Sequence, residues 1–179
     1  TTATGTNNAA VQLRGASYVT FKKITFERTG ANTFAQVIHI INGAHHNTFE
    51  NCQMIGLFLS TANASAVNIW SDQGQDNFNT FKNNYIKNGN MGMLFSGTAT
   101  AKETGNVIEG NIFDGSYNNS VQLLYNDSVT VKGNTFLNIN MHAIGNYDLQ
   151  LFDCDNSIDI SGNYFKSNNI DSSLVLIGC

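Results

Sequence analysis

The sequence predicts a single all-β domain over residues 1–179, built as a solenoid of parallel strands. A phrase of alternating apolar residues, seen as SVTVKGNTF at 128–136, occurs six times at intervals of 23–32 residues. Four of the six copies contain a tight Gly-Asn or Asn-Asn corner. The absence of proline suits stacked parallel strands, because each interior backbone N–H must find a partner. A repeat whose single unit cannot bury its own apolar face is typical of a solenoid.

Each copy of the phrase supplies two strands, one on either side of the corner. The apolar column before the corner contains Phe21, Phe49, Phe81, Ile108, Val131 and Ile160. The column after it contains Phe26, Met54, Ile86, Phe113, Phe136 and Phe165. The corner asparagines are Asn84, Asn111, Asn134 and Asn163. Asn tolerates the left-handed conformation that a tight corner needs, and stacked asparagines can hydrogen-bond to one another, so we expect a ladder along the axis.

A third alternating stretch precedes each phrase and completes the coil. These stretches lie at 11–13, 38–40, 67–69, 93–95, 121–123, 149–151 and 174–176, with starts 25–29 residues apart. One coil is therefore a first strand, a first loop, a second strand, the corner, a third strand and a second loop. The pattern predicts six to seven coils with three strands each. At about 4.8 Å between neighbouring strands, the body would be about 30 Å long.

Composition narrows the set of partners. The formal net charge of −4 provides no basic surface, so we do not expect nucleic acid to bind. No run of 18 apolar residues is present, so we expect no membrane span.

The coil pattern resembles the right-handed parallel β-helix of the pectate-lyase-like family. The resemblance covers residues 11–177 and rests on three strands per coil, asparagines at the second corner and variable loops around the first strand. Phrases such as YVTFKKITFERTG, NTFENCQMIG and ETGNVIEGNIF are similar to β-helix repeats of large secreted bacterial cell-surface proteins. The resemblance implies a right-handed coil and a secreted or cell-surface location. It does not select one function, because this scaffold serves lyases, hydrolases, adhesins and phage spikes.

In that family, the first sheet and its flanking loops form the substrate groove. The predicted ligand-binding residues here are His39, Asn68, Trp70, Gln122, Tyr125, Gln150 and Phe152. Amide and imidazole groups can hydrogen-bond to sugars, and aromatic rings can stack on them. The alternative is that the amides form a ladder along the face and bind nothing.

The sequence offers little support for catalysis. The family's lyases use an Arg or Lys base, often with Ca²⁺, and its hydrolases carry motifs such as NTD, DD or GHG, which this sequence lacks. The best remaining acidic pair is Asp127 and Asp155, at equivalent positions of adjacent coils, with Asp153 nearby. Such carboxylates repel unless one is protonated or a cation lies between them. Ca²⁺ would suit these oxygens, although aspartates in turns often serve only local hydrogen bonds. We therefore predict no catalytic residue, metal or cofactor and keep this cluster as the alternative.

Two cysteines occupy equivalent positions on adjacent coils. Cys154 follows Leu151 by three residues, and Cys179 follows Leu176 by three. Stacked parallel strands would place their Cα atoms within disulfide range, and a surface protein meets an oxidising environment. We predict a Cys154–Cys179 disulfide, and we expect Cys52, which replaces a ladder asparagine, to stay reduced.

The predicted function is a non-catalytic structural or adhesive module of a secreted cell-surface protein, with a polysaccharide or surface glycan as the candidate ligand of the first sheet. Adjoining domains or subunits are expected to continue the stack, because an open solenoid end exposes apolar rungs. The alternative is a polysaccharide-degrading lyase or glycoside hydrolase.

Overall fold

The computed structural model describes residues 8–29, 34–59, 61, 63–72, 75–138, 147–167 and 172–179. The strands in chain order are β1 (Ala9–Arg14), β2 (Thr20–Lys22), β3 (Thr25–Glu27), β4 (Gln36–Ile41), β5 (Thr48–Glu50), β6 (Gln53–Ile55), β7 (Val67–Asp72), β8 (Thr80–Lys82), β9 (Tyr85–Lys87), β10 (Met91–Ser96), β11 (Glu103–Thr104), β12 (Val107–Glu109), β13 (Ile112–Asp114), β14 (Val121–Leu124), β15 (Asn126–Asp127), β16 (Thr130–Lys132), β17 (Thr135–Asn138), β18 (Tyr147–Phe152), β19 (Asp159–Ser161), β20 (Tyr164–Ser167) and β21 (Ser172–Ile177). Within the described ranges, no helix has the length and apolar character of a membrane span.

Three parallel sheets run along the solenoid. The first sheet is ordered β1-β4-β7-β10-β14-β18-β21, the second β2-β5-β8-β12-β16-β19 and the third β3-β6-β9-β13-β17-β20. In each sheet, a strand pairs with the equivalent strand one coil earlier or later. The predicted all-β parallel solenoid with three strands per coil is therefore confirmed. A two-stranded sheet of β11 and β15, which the repeat did not predict, lies in the first loops.

The core fills the space between the three sheets with stacked apolar columns. The rings of Phe21 and Phe49 stack with centroids 4.7 Å apart, and those of Phe49 and Phe81 with centroids 5.1 Å apart. Phe113 and Phe136 stack in the same way in the third sheet, at 5.2 Å. Parallel in-register strands bring identical side chains face to face, so aromatic columns are a direct consequence of the repeat.

The corner between the second and third sheets is held by the asparagine ladder. The backbone N–H and the Nδ2 of Asn84 both donate to Oδ1 of Asn111, at 2.8 and 3.0 Å. Asn111 bonds to Asn134 at 2.9 and 3.1 Å, and Asn134 to Asn163 at 2.9 and 3.0 Å. Nδ2 of each ladder asparagine also donates a hydrogen bond to a backbone carbonyl. For example, Nδ2 of Asn134 donates to the Ile108 carbonyl at 2.9 Å. The buried polar groups of the corner are thus paired by a single residue type.

The left-handed conformation expected at this corner belongs to the residue before each ladder asparagine. Asn83, Gly110, Gly133 and Gly162 have φ values of 54°, 65°, 62° and 63°. The ladder asparagines keep negative φ and direct their amides into the stack. The two corner positions therefore have separate roles, one for backbone shape and one for hydrogen bonding.

A second ladder, which we did not predict, lies where the first loop enters the second sheet. The backbone N–H and Nδ2 of Asn47 contact Oδ1 of Asn79 at 3.0 and 3.1 Å. The backbone N–H of Asn79 donates to Oδ1 of Asn106 at 2.8 Å. The sequence does contain a signal for this second ladder. Each of the three asparagines begins one copy of the repeated phrase, as NTF at 47 and 79 and as NVI at 106.

The predicted register of the third coil is wrong by two residues. The alternation at 67–69 suggested that Asn68 is equivalent to His39, but Ile38 pairs with Ile69 and His39 pairs with Trp70. The next inward position after Ile69 is occupied by the polar residue Ser71. A search for alternating apolar residues therefore does not recognise that Ser71 points inward. Ser71 is fully buried and occupies that position through hydrogen bonds to two carboxyl groups.

Replacing Asn134 with Ala should destabilise the protein by at least about 2 kcal/mol, because it leaves buried donors of Asn111 and the Ile108 carbonyl unpaired. Urea unfolding of the variant and of Lys132→Ala, an exposed neighbour, measures the effect. Equal midpoints for the two variants would contradict a stabilising role of the ladder.

Candidate functional site

The outer face of the first sheet presents one column of side chains across seven strands. In register, this column contains Gln12, His39, Trp70, Leu94, Gln122, Gln150 and Val175. Four of the seven predicted ligand-binding residues lie in it, namely His39, Trp70, Gln122 and Gln150. Neighbouring members are separated by one strand spacing of about 4.8 Å.

Amide groups at one end of this column are ordered by hydrogen bonds. Nε2 of Gln122 donates to Oε1 of Gln150 at 2.6 Å, and Nδ2 of Asn119 donates to the same oxygen at 3.3 Å. Both glutamines are half-buried. The amide ladder raised as the alternative therefore exists between these two coils, and it holds the amides in fixed orientations.

Phe152 is the last residue of β18, and Tyr125 directly follows the neighbouring strand β14. Their rings pack edge to face, with centroids 6.0 Å apart. The backbone N–H of Tyr125 donates to the Phe152 carbonyl at 2.9 Å. Phe152 follows Gln150 by two residues in β18, so the two side chains lie on the same face of the first sheet.

Trp70 and His39 form the other part of the column. Their ring centroids are 5.6 Å apart, and Nδ1 of His39 lies 3.3 Å from Nε2 of Gln12. His39 is only 4% exposed, and burial lowers the pKa of its imidazole despite the opposing effect of Asp72. His39 therefore packs beside Trp70 as a buried ring and is not exposed to a ligand, contrary to the role predicted for it.

Asn68 is not part of the exposed face, which corrects the sequence prediction. It is fully buried, and its Nδ2 donates to the carbonyls of Lys87 at 2.9 Å and Asn88 at 3.0 Å. The loop backbone is so close that a Cβ at Gly56 would lie 1.8 Å from Asn68 Oδ1. Asn68 instead ties strand β7 to the loop that enters the next coil.

The predicted acidic pair of adjacent coils is held by a lysine. Asp127 and Asp155 pair across a parallel bridge, and Nζ of Lys102 forms an ion pair with both, at 3.7 Å from Asp127 Oδ1. The same ammonium donates to the Asp153 backbone carbonyl at 3.0 Å. The hydrogen bond to Asp155 raises the pKa of Lys102, so this lysine stays charged and is unsuited to act as a base. Across the described residues, no His, Cys, Asp and Glu side chains group as a metal site would require.

The two cysteines predicted to pair are neighbours, but both are free thiols in this structure. Sγ of Cys154 lies 3.5 Å from the backbone carbonyls of Leu123 and Phe152, and Sγ of Cys179 lies 3.5 Å from that of Ile177. Burial raises the pKa of Cys154 to about 11, and the adjacent Cys179 thiol adds to this shift. The two thiols are thus adjacent, and the disulfide, whose formation requires an oxidant, stays a prediction.

A buried carboxyl pair lies behind the first sheet, where apolar periodicity gives no signal. Ser71 Oγ is within hydrogen-bonding distance of Asp76 Oδ2, at 2.9 Å, and of Glu103 Oε1. All three side chains are fully buried. A serine hydroxyl carries one proton, so it donates to one carboxyl and must accept a proton from the other.

The surroundings of the two carboxyls favour protonation of Glu103. Asp76 also accepts a hydrogen bond from the Ala44 backbone N–H at 2.8 Å, which favours its ionised form even though burial raises its pKa. Burial raises the pKa of Glu103 to about 8, and the negative charges of Asp76 and Asp72 act in the same direction. The pair is therefore a structural hydrogen-bond chain from Glu103 through Ser71 to Asp76, closed to substrate.

An exposed aromatic stack marks the edge before the second sheet. The rings of Tyr18 and His46 stack with centroids 5.0 Å apart, and His46 and Phe78 lie 4.8 Å apart. All three residues have left-handed φ, at 60°, 55° and 55°. Stacking offsets the cost of this conformation, which is uncommon for residues with bulky side chains.

These features define a class of protein: a rigid parallel β-solenoid whose buried acids serve structure and whose outer faces carry aromatic and amide groups. The chain belongs to the right-handed β-helix family, because the family model described as "Right handed beta helix region" matches residues 9–178. This match confirms the predicted handedness and β-helix membership.

Other comparisons add no functional information. Among solved structures, the chain is similar to a trypsin-treated form of QnrB1, a plasmid-mediated fluoroquinolone resistance protein, at 9% identity and a TM-score of 0.18. That alignment covers 87% of this chain and 92% of the other. A TM-score this low carries no argument about fold or function. No curated protein matches the chain significantly.

Oxidation should join Cys154 to Cys179 and leave only Cys52 free. The bond would close a 25-residue loop, which stabilises by about 3 kcal/mol in a chain-entropy estimate. Thiol titration of air-oxidised protein that is denatured without reductant should give one free thiol, and Cys154→Ser should give two. Three free thiols in the oxidised wild type would contradict the pairing.

The buried carboxyl should make stability fall as pH rises. Because the folded-state pKa of Glu103 is about 8 and its ordinary value is 4.5, the unfolded state loses this proton first. Its contribution to stability is complete below pH 4.5 and is lost as pH rises towards 8, with a slope of up to about 1.4 kcal/mol per pH unit.

Glu103→Gln removes this titration and should flatten the pH dependence of unfolding between pH 5 and pH 8. Glu109→Gln, at an exposed ion pair with Lys82, is the matched control and should keep the wild-type slope. If Glu103→Gln and the wild type have parallel stability curves, Glu103 does not carry the proton.

Proposed function

We propose that the protein is a non-catalytic β-helix module of a secreted or cell-surface protein and that it binds glycans on the outer face of its first sheet. The observation that carries this proposal is the juxtaposition of ordered amides, Gln122 and Gln150, with the aromatic pair Tyr125 and Phe152. Amides held in fixed orientations lose little conformational entropy when they bind sugar hydroxyls. Trp70, two strands from Gln122, adds a further aromatic surface to the same face.

The placement of the carboxyl groups favours ligand binding over catalysis. General acid–base catalysis needs a carboxyl group that is both accessible and perturbed in pKa. The carboxyls with a raised pKa, Glu103 and Asp76, are fully buried, and the accessible pair Asp127 and Asp155 shares an ion pair with Lys102. A polysaccharide lyase or glycoside hydrolase remains the competing function for the experiment to test.

Exposed apolar side chains on the last described coil favour a partner that continues the stack of coils. Leu174, Leu176 and Ile177 are 39%, 53% and 43% exposed, although Leu174 and Leu176 continue inward apolar columns. An adjoining domain or subunit that adds a coil would bury these side chains and pair the open strand edge.

Trp70→Ala and Gln122→Ala should each weaken oligosaccharide binding by about tenfold, because each removes a stacking or hydrogen-bonding group. Binding is measured by isothermal titration, and melting temperatures check the fold. Gln53→Ala, which removes an exposed amide from the third sheet, is the control. Unchanged affinity in both variants, with binding by the wild type established, would place the site elsewhere.

The enzyme alternative is tested by incubating the protein with neutral and acidic polysaccharides and measuring new reducing ends and unsaturated products. We expect none. Cleavage that disappears in Asp127→Ala or Asp155→Ala would overturn the non-catalytic proposal.

A further inference from the structure

A cleft that the sequence pattern did not predict lies at the carboxyl ends of the third-sheet strands. Its volume is about 520 Å³, within the range of small-ligand sites. It spans three consecutive coils, and its lining residues are Phe58, Leu59, Lys87, Asn88, Asp114, Gly115 and Tyr117. The cleft is thus distinct from the outer column of the first sheet.

The base of the cleft is rigid because its backbone is paired between coils. The N–H of Asn88 donates to the Asp114 carbonyl at 2.9 Å, and that of Gly89 donates to the Leu57 carbonyl at 2.9 Å. The N–H of Tyr117 donates to the Gly89 carbonyl at 2.8 Å. A ligand would therefore meet a largely preformed surface.

The polar groups of the cleft carry one positive and one negative charge. Nζ of Lys87 lies 4.0 Å from Oδ2 of Asp114, a loose ion pair whose side chains are 44% and 32% exposed. The hydroxyl of Tyr85 donates to the same carboxylate oxygen, and burial with this bond raises the pKa of Tyr85 to about 12. Tyr85 therefore keeps its proton and fixes the carboxylate, whose Oδ1 makes no hydrogen bond to the described residues.

The lining of the cleft also contains apolar side chains. Phe58 is 76% exposed, the highest exposure of any large apolar side chain in the described part of the chain. Leu59 lies beside it, and the Tyr117 ring adds a second aromatic group to the lining. Leaving a phenylalanine exposed at a cleft has a binding rationale, because its ring is available to the apolar face of a ligand.

We propose that this cleft binds a neutral oligosaccharide. One sugar hydroxyl donates to Oδ1 of Asp114, an adjacent hydroxyl accepts from Nζ of Lys87, and the C–H face of the ring packs on Phe58. Because the single lysine is balanced by the aspartate, the cleft has no surplus positive charge for a uronate or a phosphate. The class of ligand in this inference rests on the proposed glycan-binding function. The location of the cleft does not depend on the site proposed on the first sheet.

The test measures equilibrium binding of fluorescently labelled β-glucan, xylan, mannan and galactan oligosaccharides, with oligogalacturonate as the acidic comparison. Phe58→Ala and Asp114→Asn should each weaken binding of the neutral ligand by about tenfold. Both variants should fold, because Phe58 is exposed and asparagine at 114 still accepts from Tyr85. Tyr164→Ala, at a 58% exposed tyrosine outside the cleft, is the matched control and should bind normally.

The outcomes separate this inference from the first-sheet proposal. Loss of affinity in Phe58→Ala and Asp114→Asn, with Trp70→Ala unchanged, supports the cleft and overturns the first-sheet site. Loss in Trp70→Ala alone overturns the cleft and leaves the first-sheet proposal standing. A preference for oligogalacturonate, or no binding of any neutral ligand by the wild type, overturns the inference.

Discussion

In-register stacking of parallel coils is the constraint on which the rest of the structure depends. When each strand pairs with its equivalent one coil away, every inward position must be acceptable beside a copy of itself at strand spacing. Aromatic and aliphatic columns satisfy this requirement by packing, as the stack of Phe21, Phe49 and Phe81 shows. Asparagine meets this requirement at the corners, because one side-chain amide can donate a hydrogen bond to one neighbour and accept one from the other. The same pair of bonds can therefore form between every two adjacent coils.

The same constraint explains why the fold was predictable from one sequence. The apolar columns and the corner asparagines recur with the period of the coil, so they identify the second and third sheets without knowledge of the loops. The register of the third coil failed where the pattern was interrupted by a buried polar residue. Ser71 occupies an inward position only because Asp76 and Glu103, from outside the repeat, supply its hydrogen bonds. No periodic signal encodes such a partner.

The binding surfaces were less predictable than the fold for a related reason. Strand alternation placed Gln122 and Gln150 in one column of the first sheet, where they do lie, whereas Trp70 occupies the position predicted for Asn68. The cleft is built differently, since Phe58 comes from a loop of one coil and Asp114 from a strand two coils later. Loop lengths differ between coils, so only the structure shows which loop residues come together. Burial of His39 and Asn68 was missed because alternation indicates a face but not what covers it.

The position of charge within the solenoid connects its stability to its function. Carboxyl groups in the interior are tolerated when one is protonated and hydrogen-bonded, as with Glu103, since an isolated buried charge would be too costly. Carboxylates on the outside, such as Asp127 and Asp155, are paired with a lysine that stays charged. Glu103 and Asp76 are buried, and Asp127 and Asp155 are engaged by Lys102. The outer faces retain fixed amides, aromatic rings and one loose ion pair, and these groups are suited to recognising hydroxyls and apolar ring faces. The binding function that we propose rests on these outer groups, whereas the buried acids serve the stability of the scaffold.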